Sequence, residues 1–413
     1  MTLDAIRKYT PCVNGFSGNL EDERSTYACS GVDLAYFMPH ALLGSTERIG
    51  NDIWGWTHCG REFGLIGQMD GTAFVELLSS PSGLEVLYLG RLATQSVTSI
   101  WRDIKVLGHF AYIGSEAEGH GIQVFDLTQL LDTSLRTGPK TFLTSELTAV
   151  YPLPEGRSHN IVSHAEKNLI AAVGSTPRNG TCMAGMIFFD VTDPAHPIEL
   201  GCASEDGYVH DAQCLTYHGP DTAFEGHDIC YAYAEDSLTI WDITNPSESR
   251  IISSTPYYGV TYSHQGWVVD ELDQSWLLLD DELDELERRA GWAADNHTTT
   301  YIWNIRSLEK PVLSGYYKSP VKSIDHNLYV HKGLAFESNY KSGLRIIDVS
   351  SVAQDPSGGS FREIGFFDVH PEDDAEGGVV EFGGTWSVYP YFESGYLLVN
   401  SMERGLFVLK LAA

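Results

Sequence analysis

One short apolar motif recurs seven times along the chain, and this repetition limits the fold more than any other feature of the sequence. Each copy begins with a small or polar residue, continues with apolar residues, and ends with a polar residue followed by an aliphatic one. The copies occupy residues 71–77, 121–127, 185–191, 237–243, 299–305, 343–349 and 405–411. Their starts lie 44 to 64 residues apart, which leaves room for about four short strands per unit and is typical of a β-propeller.

Two further apolar segments precede most copies, and a polar turn with another short strand follows several of them. Each unit therefore contains four strands, named A to D from the axis outwards, with the repeated motif as strand C. The last copy ends near the C-terminus, and residues 32–37 are apolar enough to supply its missing strand D. We predict an all-β, seven-bladed β-propeller closed by an N-terminal strand. Residues 32–413 form this single domain, after an extension at residues 1–31 that a disulfide ties down.

The charge of the chain limits its partners. Its 56 acidic and 26 basic residues give a formal net charge of −30, which repels nucleic acid backbones and anionic membrane surfaces. No apolar stretch approaches the roughly 18 residues of a membrane-spanning segment. We therefore expect neither nucleic acid nor membrane as a partner, but a small molecule, and the oligomeric state stays open.

Cysteines and glycosylation sequons favour a secreted protein. The seven cysteines show no Cys-x-x-Cys pair, and three disulfides that leave Cys59 over are expected, although sequence does not determine the pairing. Asn179 and Asn296 each begin an Asn-x-Thr sequon. We expect a protein of the secretory pathway that is N-glycosylated at both asparagines, with its signal peptide removed from this chain. The cysteines that lie near each other in sequence are Cys12 and Cys29, Cys182 and Cys202, and Cys214 and Cys230.

The seven A strands differ most where they begin. In a propeller, the start of strand A and the loop between strands B and C share one face, at a central funnel. Aligned by position, the A strands begin with Asn51, Arg102, His159, His210, His264, His326 and Thr385. The next residues are Asp52, Asp103, Asn160, Asp211, Gln265, Asn327 and Trp386. Polar groups that converge on one concave face are the default candidate site.

We assign two kinds of role to residues of this face. The candidate catalytic residues are His159, His210, His264, His326, Asp211 and Arg102. The candidate substrate-binding residues are Asp52, Trp54, Trp101, Asp103, His120, Gln265, Trp267, Asp281, Tyr340, Trp386 and Arg404. The many aromatic side chains and few lysines favour an apolar or phenolic small molecule over a polyanion.

Three interpretations of the four histidines remain open. They could bind a transition metal such as Fe, Cu or Zn. They could form a metal-free acid–base funnel that needs no cofactor. They could also be structural, joining neighbouring blades by hydrogen bonds. The nearby acidic run at residues 280–287 lacks the Asp-x-Asp-x-Asp-Gly spacing of a calcium loop, so we expect it to be a solvated charged loop.

The repeat resembles the LVIVD-repeat proteins, and more closely the choice-of-anchor B group. The stretches that carry the resemblance are residues 51–56, 101–104, 210–214, 264–267, 280–284, 325–329 and 403–407. The resemblance implies a propeller and export rather than a particular activity.

In length, repeat style, sequons and cysteine usage, the chain also looks like secreted fungal hetero-Diels–Alderases of tropolone–sesquiterpenoid pathways. That resemblance implies an enzyme that joins a quinone-methide-type (tropolone) diene to a sesquiterpene alkene without a cofactor. The alternatives are a metal-dependent oxidoreductase or lyase that uses the four histidines, and a secreted interaction propeller without chemistry.

Overall fold

Seven antiparallel sheets form one closed ring. The computed structural model describes residues 3–80, 83–287, 291–374 and 377–412. Each sheet contains four antiparallel strands A to D, and the inner strand A of each sheet contacts the inner strands of both neighbours. The inner strand of the seventh sheet contacts that of the first. The predicted seven-bladed β-propeller is therefore confirmed.

The strands follow the predicted order in every blade. The A strands are Gly50–His58, Arg102–Leu107, Asn160–His164, Asp211–Thr216, Ser263–Val268, Asn327–His331 and Thr385–Tyr389. The B strands are Arg61–Gln68, Phe110–Ser115, Leu169–Val173, Asp228–Tyr233, Trp276–Asp281, Leu334–Ser338 and Tyr396–Ser401. The C strands are Gly71–Ser80, Ile122–Asp126, Met186–Asp190, Leu238–Asp242, His297–Asn304, Leu344–Asp348 and Gly405–Leu411. The D strands are Gly83–Ala93, Ala149–Tyr151, Ile198–Ala203, Arg250–Thr255, Val312–Lys322, Arg362–Phe367 and Val32–Pro39.

Helical structure is confined to short connections. The α-helix is Asp284–Glu287, in the connection between strands B and C of the fifth blade. The 3-10 turns are Glu23–Ser25, His40–Leu43, Leu127–Leu131, Thr133–Arg136, Thr144–Glu146, Ala165–Lys167, Thr181–Ala184, Pro246–Glu248 and Trp292–Asp295. Among the described residues, no helix has the length and apolar character needed to cross a membrane.

The N-terminal strand closes the ring as predicted. Val32–Pro39 pairs antiparallel with Gly405–Leu411 of the seventh blade, and this pairing removes an exposed sheet edge. Ahead of it, Phe16–Gly18 and Thr26–Ser30 add two strands to the outer edge of the sixth sheet. A further short strand, Lys140–Phe142, lies parallel to the outer strand of the first blade.

Three disulfides resolve the pairing that the sequence leaves open. Cys12–Cys29 links two parts of the N-terminal extension. Cys182–Cys202 links the B–C connection of the third blade to its strand D. Cys214–Cys230 joins strands A and B of the fourth blade. Cys59 is free and exposed, as expected. Three disulfides are consistent with an oxidising compartment.

A ring of side-chain hydrogen bonds joins each blade to the next at all seven seams. Each bond links an inner polar side chain to the backbone of the neighbouring blade at 2.7–3.1 Å. In chain order, the side chains are Asp52, Asp103, Asn160, His210, His264, His326 and Asn400, and their backbone partners are Ile104, Ile161, His210, His264, His326, Trp386 and Asn51. These bonds set the register between sheets.

Two expectations from the sequence do not fit the structure. Asn179 is exposed, but Asn296 is only 9% exposed and donates its Nδ2 to the Glu285 carbonyl at 2.7 Å. That nitrogen therefore has no room for a glycan. The acidic run at residues 280–287 is not a solvated loop either. Four of its carboxyl side chains are buried, namely Asp280, Asp281, Asp284 and Glu285.

Replacing Asn400 with alanine should weaken the seam that closes the ring. Its Nδ2 donates to the carbonyls of Asn51 and Gly67, both at 2.8 Å, and their buried oxygens would lose this donor. We expect Asn400→Ala to lower the free energy of unfolding by about 2 kcal/mol, measured by urea denaturation. The exposed Asn245→Ala is the control and should change it by less than about 0.5 kcal/mol. An unchanged midpoint for Asn400→Ala would contradict this role.

Glycosylation should distinguish the two sequons. When the chain is secreted from a eukaryotic host, we expect a glycan on Asn179 and none on Asn296, because a glycan on the buried nitrogen prevents the loop from closing. Treatment with a peptide N-glycosidase should shift the mass of the wild type and of Asn296→Gln, but not that of Asn179→Gln. A glycopeptide that contains Asn296 in the folded product would contradict the structure.

Candidate functional site

A funnel of about 490 Å³ opens at one end of the propeller axis. Starts of A strands and B–C loops from six blades form its wall, as the repeat geometry predicts. The lining residues are Ile100, Trp101, Glu116, His159, Thr176, Arg178, Tyr208, His210, Tyr262, His264, Glu282, His326, Tyr340, Phe382, Trp386 and Met402. The wall combines aromatic surface with a few polar groups, as small-molecule sites usually do.

Four histidine rings form a continuous arc along this wall. The ring centroids of His159 and His210 are 4.3 Å apart, those of His210 and His264 are 4.0 Å apart, and those of His264 and His326 are 4.7 Å apart. The arc ends against Tyr340, whose ring centroid lies 4.5 Å from that of His326. The four predicted histidines therefore meet in one place.

The seam hydrogen bonds determine which imidazole nitrogen carries the proton. Nδ1 of His210, His264 and His326 each lies 2.7–2.9 Å from a backbone carbonyl. A carbonyl only accepts hydrogen bonds, so Nδ1 must be protonated in each ring. In the neutral ring, Nε2 is then left as the nitrogen with a lone pair.

Burial keeps these three imidazoles neutral. The pKa of His326 is lowered to about 3 by burial. Burial, together with the neighbouring histidines, lowers the pKa of His210 and His264 well below the usual range. These three rings therefore present proton acceptors rather than positive charges at neutral pH.

A carboxyl group faces two of the Nε2 atoms. The Glu282 oxygens lie 3.8 Å from Nε2 of His264 and 3.7 Å from Nε2 of His326. The Tyr340 hydroxyl donates to the same carboxyl at 2.6 Å, and burial raises the pKa of Glu282 to about 7. Among the described residues, His264, Glu282 and His326 form the one trio of metal-binding side chains whose ligand atoms lie within 4.8 Å of one another.

The other end of the arc carries a second histidine–carboxyl pair. Nδ1 of His159 lies 2.5 Å from Oε1 of Glu116, and both side chains are partly exposed at the funnel. The carboxyl orients this ring and favours a proton on Nδ1, as the carbonyls do for the other three rings.

The rim of the funnel is aromatic and apolar. Trp101 and Phe382 are about half exposed, and the Trp386 ring packs edge-on against His326. Arg178 lies over the Tyr208 ring at 4.1 Å and pairs with Glu235 at 2.6 Å, so its charge is already matched. The mouth thus offers flat apolar surfaces to a ligand.

Seven predicted residues line the funnel, and the others do not. Those in the wall are His159, His210, His264, His326, Trp101, Tyr340 and Trp386. Trp54 and Trp267 lie further along the channel, where both rings pack edge-on against Tyr329. Each tryptophan lies three residues beyond the aligned position of its strand, Asn51 or His264, about 10 Å at the usual rise per strand residue.

Arg102 and His120 form a buried pair outside the funnel. Arg102 donates to Thr94 at 2.8 Å and to Nε2 of His120 at 3.1 Å. Burial lowers the pKa of Arg102 to about 10, and burial with the nearby arginine lowers that of His120 to about 3. These two side chains pair with each other within the second blade.

The predicted carboxylates of the inner strands lie deeper in the channel. Asp103 accepts from Lys105 at 2.7 Å, and Asp52 lies 3.9 Å from the same ammonium group. Asp211 is buried near this group, and burial raises its pKa to about 7. Gln265 accepts from the backbone of the sixth blade at 2.9 Å. These groups join blades and fill the channel rather than lining the funnel.

Asp281 and Arg404 are structural anchors in this fold. Asp281 accepts from the backbone nitrogens of Thr261 and Tyr262 at 2.8 and 2.7 Å and from two hydroxyl groups. Arg404 donates to the carbonyl of Arg24 at 2.6 Å and pairs with Glu372. The first fixes a loop of the fifth blade, and the second holds the N-terminal extension.

The alignment of the seventh blade is wrong by one residue. His326 donates to the carbonyl of Trp386, as His264 does to that of His326, so Trp386 rather than Thr385 is equivalent to the histidines. The strand irregularity at Trp386, between Thr385 and Ser387, matches the one at His264, between Ser263 and Gln265, and supports this equivalence.

Several residues of the funnel wall are absent from the catalytic and substrate-binding sets predicted from the sequence. Glu116 and Glu282 are on the predicted face, in B–C loops, and Tyr208 and Tyr262 each stand two residues before a funnel histidine. The repeated Tyr-x-His pattern of the fourth and fifth blades was therefore an available signal. In contrast, no repeat pattern distinguishes Thr176 or Arg178, which lie in an insertion of the third blade.

Comparison with known proteins identifies the repeat but no activity. No curated protein matches the chain. The β-propeller domain of Cps50 (Swd1) from Myceliophteria thermophila is 11% identical and has a TM-score of 0.49, over 85% of this chain and 94% of that one. A functionally unknown protein from Desulfotomaculum acetoxidans is 11% identical, with a TM-score of 0.47 over 73% of this chain and 83% of that one. Residues 101–119, in the inner strands of the second blade, match the LVIVD repeat. The chain is a seven-bladed β-propeller that carries an LVIVD repeat.

Proposed function

We propose that the protein is an enzyme that holds a flat, largely apolar or phenolic molecule in the histidine funnel. The observation that carries this proposal is the set of three neutral imidazoles whose Nδ1–H groups are bound to backbone carbonyls. Their Nε2 lone pairs are fixed acceptors beside aromatic walls. This combination suits orientation of an unsaturated ring and removal of a hydroxyl proton.

The reaction we propose is the joining of a tropolone-type quinone methide to a sesquiterpene alkene by a hetero-Diels–Alder cyclisation. The diene forms when a hydroxymethyl tropolone loses water. Nε2 of His210 accepts the ring hydroxyl proton and returns it to the departing hydroxide. The cyclisation then forms one carbon–carbon and one carbon–oxygen bond without further proton transfer. No cofactor is required for these steps.

Aromatic residues would hold the two partners together. Trp101, Trp386 and Phe382 offer flat surfaces for stacking at the rim. Fixing two reactants in one orientation removes much of the entropic part of the barrier. Tyr262 lies 3.3 Å from the Tyr208 hydroxyl and donates to it, which leaves the Tyr208 proton to bind the oxygen that gains charge. Asp211 and Arg102 have no part in this scheme, because neither lines the funnel.

We also propose that the chain acts in the secretory pathway. Its three disulfides suit an oxidising compartment, and the exposed Asn179 provides an accessible glycosylation site.

Replacing His210 with asparagine should separate the chemistry from the fold. Asparagine keeps a side-chain N–H donor for the seam, the type of donor that Asn160 supplies to the His210 carbonyl from the next alignment position, but the variant lacks Nε2. We expect His210→Asn to reduce adduct formation about 10²–10⁴-fold, measured by mass spectrometry of the product from a hydroxymethyl tropolone and a sesquiterpene alkene. Tropolone affinity, followed by tryptophan fluorescence, should change much less.

The matched control is His164→Asn. His164 is equally buried and pairs with Asp228 at 3.1 Å outside the funnel, so its loss should leave turnover near the wild-type level. Full turnover by a folded His210→Asn variant would refute the role of Nε2.

A second candidate is metal-dependent chemistry, as in an oxidoreductase or lyase. The trio His264, Glu282 and His326 favours it, because metal-bound imidazoles commonly donate their other N–H to a carbonyl or carboxylate. Nitrogen and carboxylate ligands suit Fe, Cu or Zn.

Elemental analysis separates these two candidates. Metal dependence predicts about one Fe, Cu or Zn per chain in the purified protein and its loss in Glu282→Ala, while Glu116→Ala, at the other end of the arc, retains the metal. Full adduct formation by protein that contains no transition metal would exclude the second candidate and leave the first.

A further inference from the structure

Five buried carboxyl groups face one another in the seam between the fifth and sixth blades. They are Asp280, Asp284, Glu285, Asp325 and Glu337, here called the acid cluster, and each is at most 3% exposed. Two hydrogen bonds join the fifth and sixth blades next to these carboxyl groups. Thr300, on strand C of the fifth blade, donates to Glu337, on strand B of the sixth, at 2.7 Å. Asn339, one residue beyond that strand B, donates to Thr298 at 3.4 Å. The cluster therefore lies inside the protein, between two sheets.

Much of the oxygen surface in the acid cluster has no hydrogen-bond partner among the described residues. Both carboxyl oxygens of Asp280 and both of Asp325 lack one, as does one oxygen each of Asp284 and Glu285. Oδ1 of Asn339, whose Nδ2 donates to Glu337 at 3.1 Å, is also without a partner. Buried polar atoms are normally satisfied, so this concentration of bare oxygens calls for a ligand.

The neighbouring Asp281 shows that the region can supply donors where a carboxylate must be satisfied without an ion. Its two oxygens accept from two backbone nitrogens and from the hydroxyls of Tyr257 and Thr261. Asp280, one residue earlier on the same strand, has none. Asp280 therefore lacks donors although the next residue on its strand is fully supplied with them.

Charge within the cluster is also unmatched. Burial, then the other carboxylates, raises the pKa of Asp280 and of Asp325 well above the usual range. Arg345 acts on the edge of the cluster at Glu337, but its own partner is Glu363 at 3.1 Å. Several buried carboxylates without a cation cost far more than a folded chain can tolerate, so protons or a metal ion must offset them.

We propose that the acid cluster binds one Ca²⁺ ion, with Asp280 and Asp325 as its principal ligands. The unpartnered atoms are all oxygens, the ligands that Ca²⁺ prefers, and it takes about six to eight of them. No three acidic side chains of the cluster bring ligand atoms within 4.8 Å of one another among the described residues. The ion must therefore also use neutral oxygens, and the unpartnered Oδ1 of Asn339, next to Glu337, is the candidate among the side chains.

Such an ion would lie directly behind the funnel wall. Asp325 precedes His326, and Asp280 is two residues before Glu282. Binding of Ca²⁺ would hold both the start of the sixth inner strand and the loop that carries Glu282. The inference does not rest on the proposed reaction, because any function of the funnel needs this wall.

Calcium content and thermal stability test the inference in the full-length chain. Protein should be stripped with a chelator, dialysed and titrated with CaCl₂ alone. We expect about one Ca²⁺ per chain by elemental analysis, and a rise in Tm of about 3 °C once free Ca²⁺ exceeds its Kd about a hundredfold. Mg²⁺ at the same concentration should give a smaller rise, because it requires a tighter octahedral shell.

Two variants distinguish this site from general binding to an acidic protein. The double variant Asp280→Asn/Asp325→Asn removes two charges at constant shape and should lose the bound Ca²⁺ and the Tm rise, without becoming less stable than the stripped wild type. Asp228→Asn changes a buried carboxylate that is already paired with His164 and Lys167. It should lower Tm equally with and without Ca²⁺.

Two results would overturn the inference: a stripped wild type that neither binds Ca²⁺ nor gains stability, or a double variant that keeps the full response. The first would mean that the cluster is neutralised by protons. Neither readout depends on turnover, so failure here is separate from failure of the proposed reaction.

Discussion

The hydrogen bond between an inner side chain and the backbone of the next blade is the interaction on which the rest of this structure depends. Seven sheets that pack face to face bury much apolar surface, but apolar contact has no direction and does not set how one sheet sits against the next. A bond of 2.7–3.1 Å at each seam does set it. The seam between the last and first blades obeys the same rule, through Asn400.

The same bonds also create the chemistry of the funnel. At three consecutive seams the donor is the Nδ1–H of a histidine. Two other seams use an Asn amide as the donor, and at the remaining two an Asp carboxylate accepts from a backbone N–H. Each histidine seam leaves one unprotonated Nε2 in a ring whose position is already fixed. The structural and the chemical interpretations of the histidines are therefore not alternatives, because one nitrogen of each ring serves the fold and the other is left for a ligand.

The fold was predictable because it depends on repetition. Strand C is buried on both faces, as in Leu238–Asp242, where every residue is buried, so its apolar character recurs in every blade. The funnel histidines were predictable for the same reason. The errors concern single positions along a strand: Trp386 takes the place given to Thr385, and Trp54 lies deeper in the channel than the funnel. Arg178 lies in an insertion that has no counterpart in the other blades, so no repeat pattern marks it as a residue of the funnel wall.

The acidic run at residues 280–287 failed for a different physical reason. A dense run of carboxylates usually remains in water, and nothing local to these residues indicates otherwise. The sixth blade brings Asp325 and Glu337 against Asp280, Asp284 and Glu285 across a seam. Sequence patterns describe neighbours along the chain, whereas these two groups of carboxyls are 40 or more positions apart.

The funnel wall between the two clusters is thin, and its two sides differ in chemistry. His326 faces the funnel while the preceding Asp325 belongs to the acid cluster, since successive residues of an extended chain point in opposite directions. One side offers imidazole nitrogens, which suit organic hydroxyl groups or transition metals, and the other offers only oxygens, which suit Ca²⁺. This difference in donor atoms would keep the two kinds of ligand apart. A cation behind the wall would also offset negative charge beside Glu282, so occupancy of the acid cluster and the electrostatics of the funnel are linked through residues adjacent in the chain.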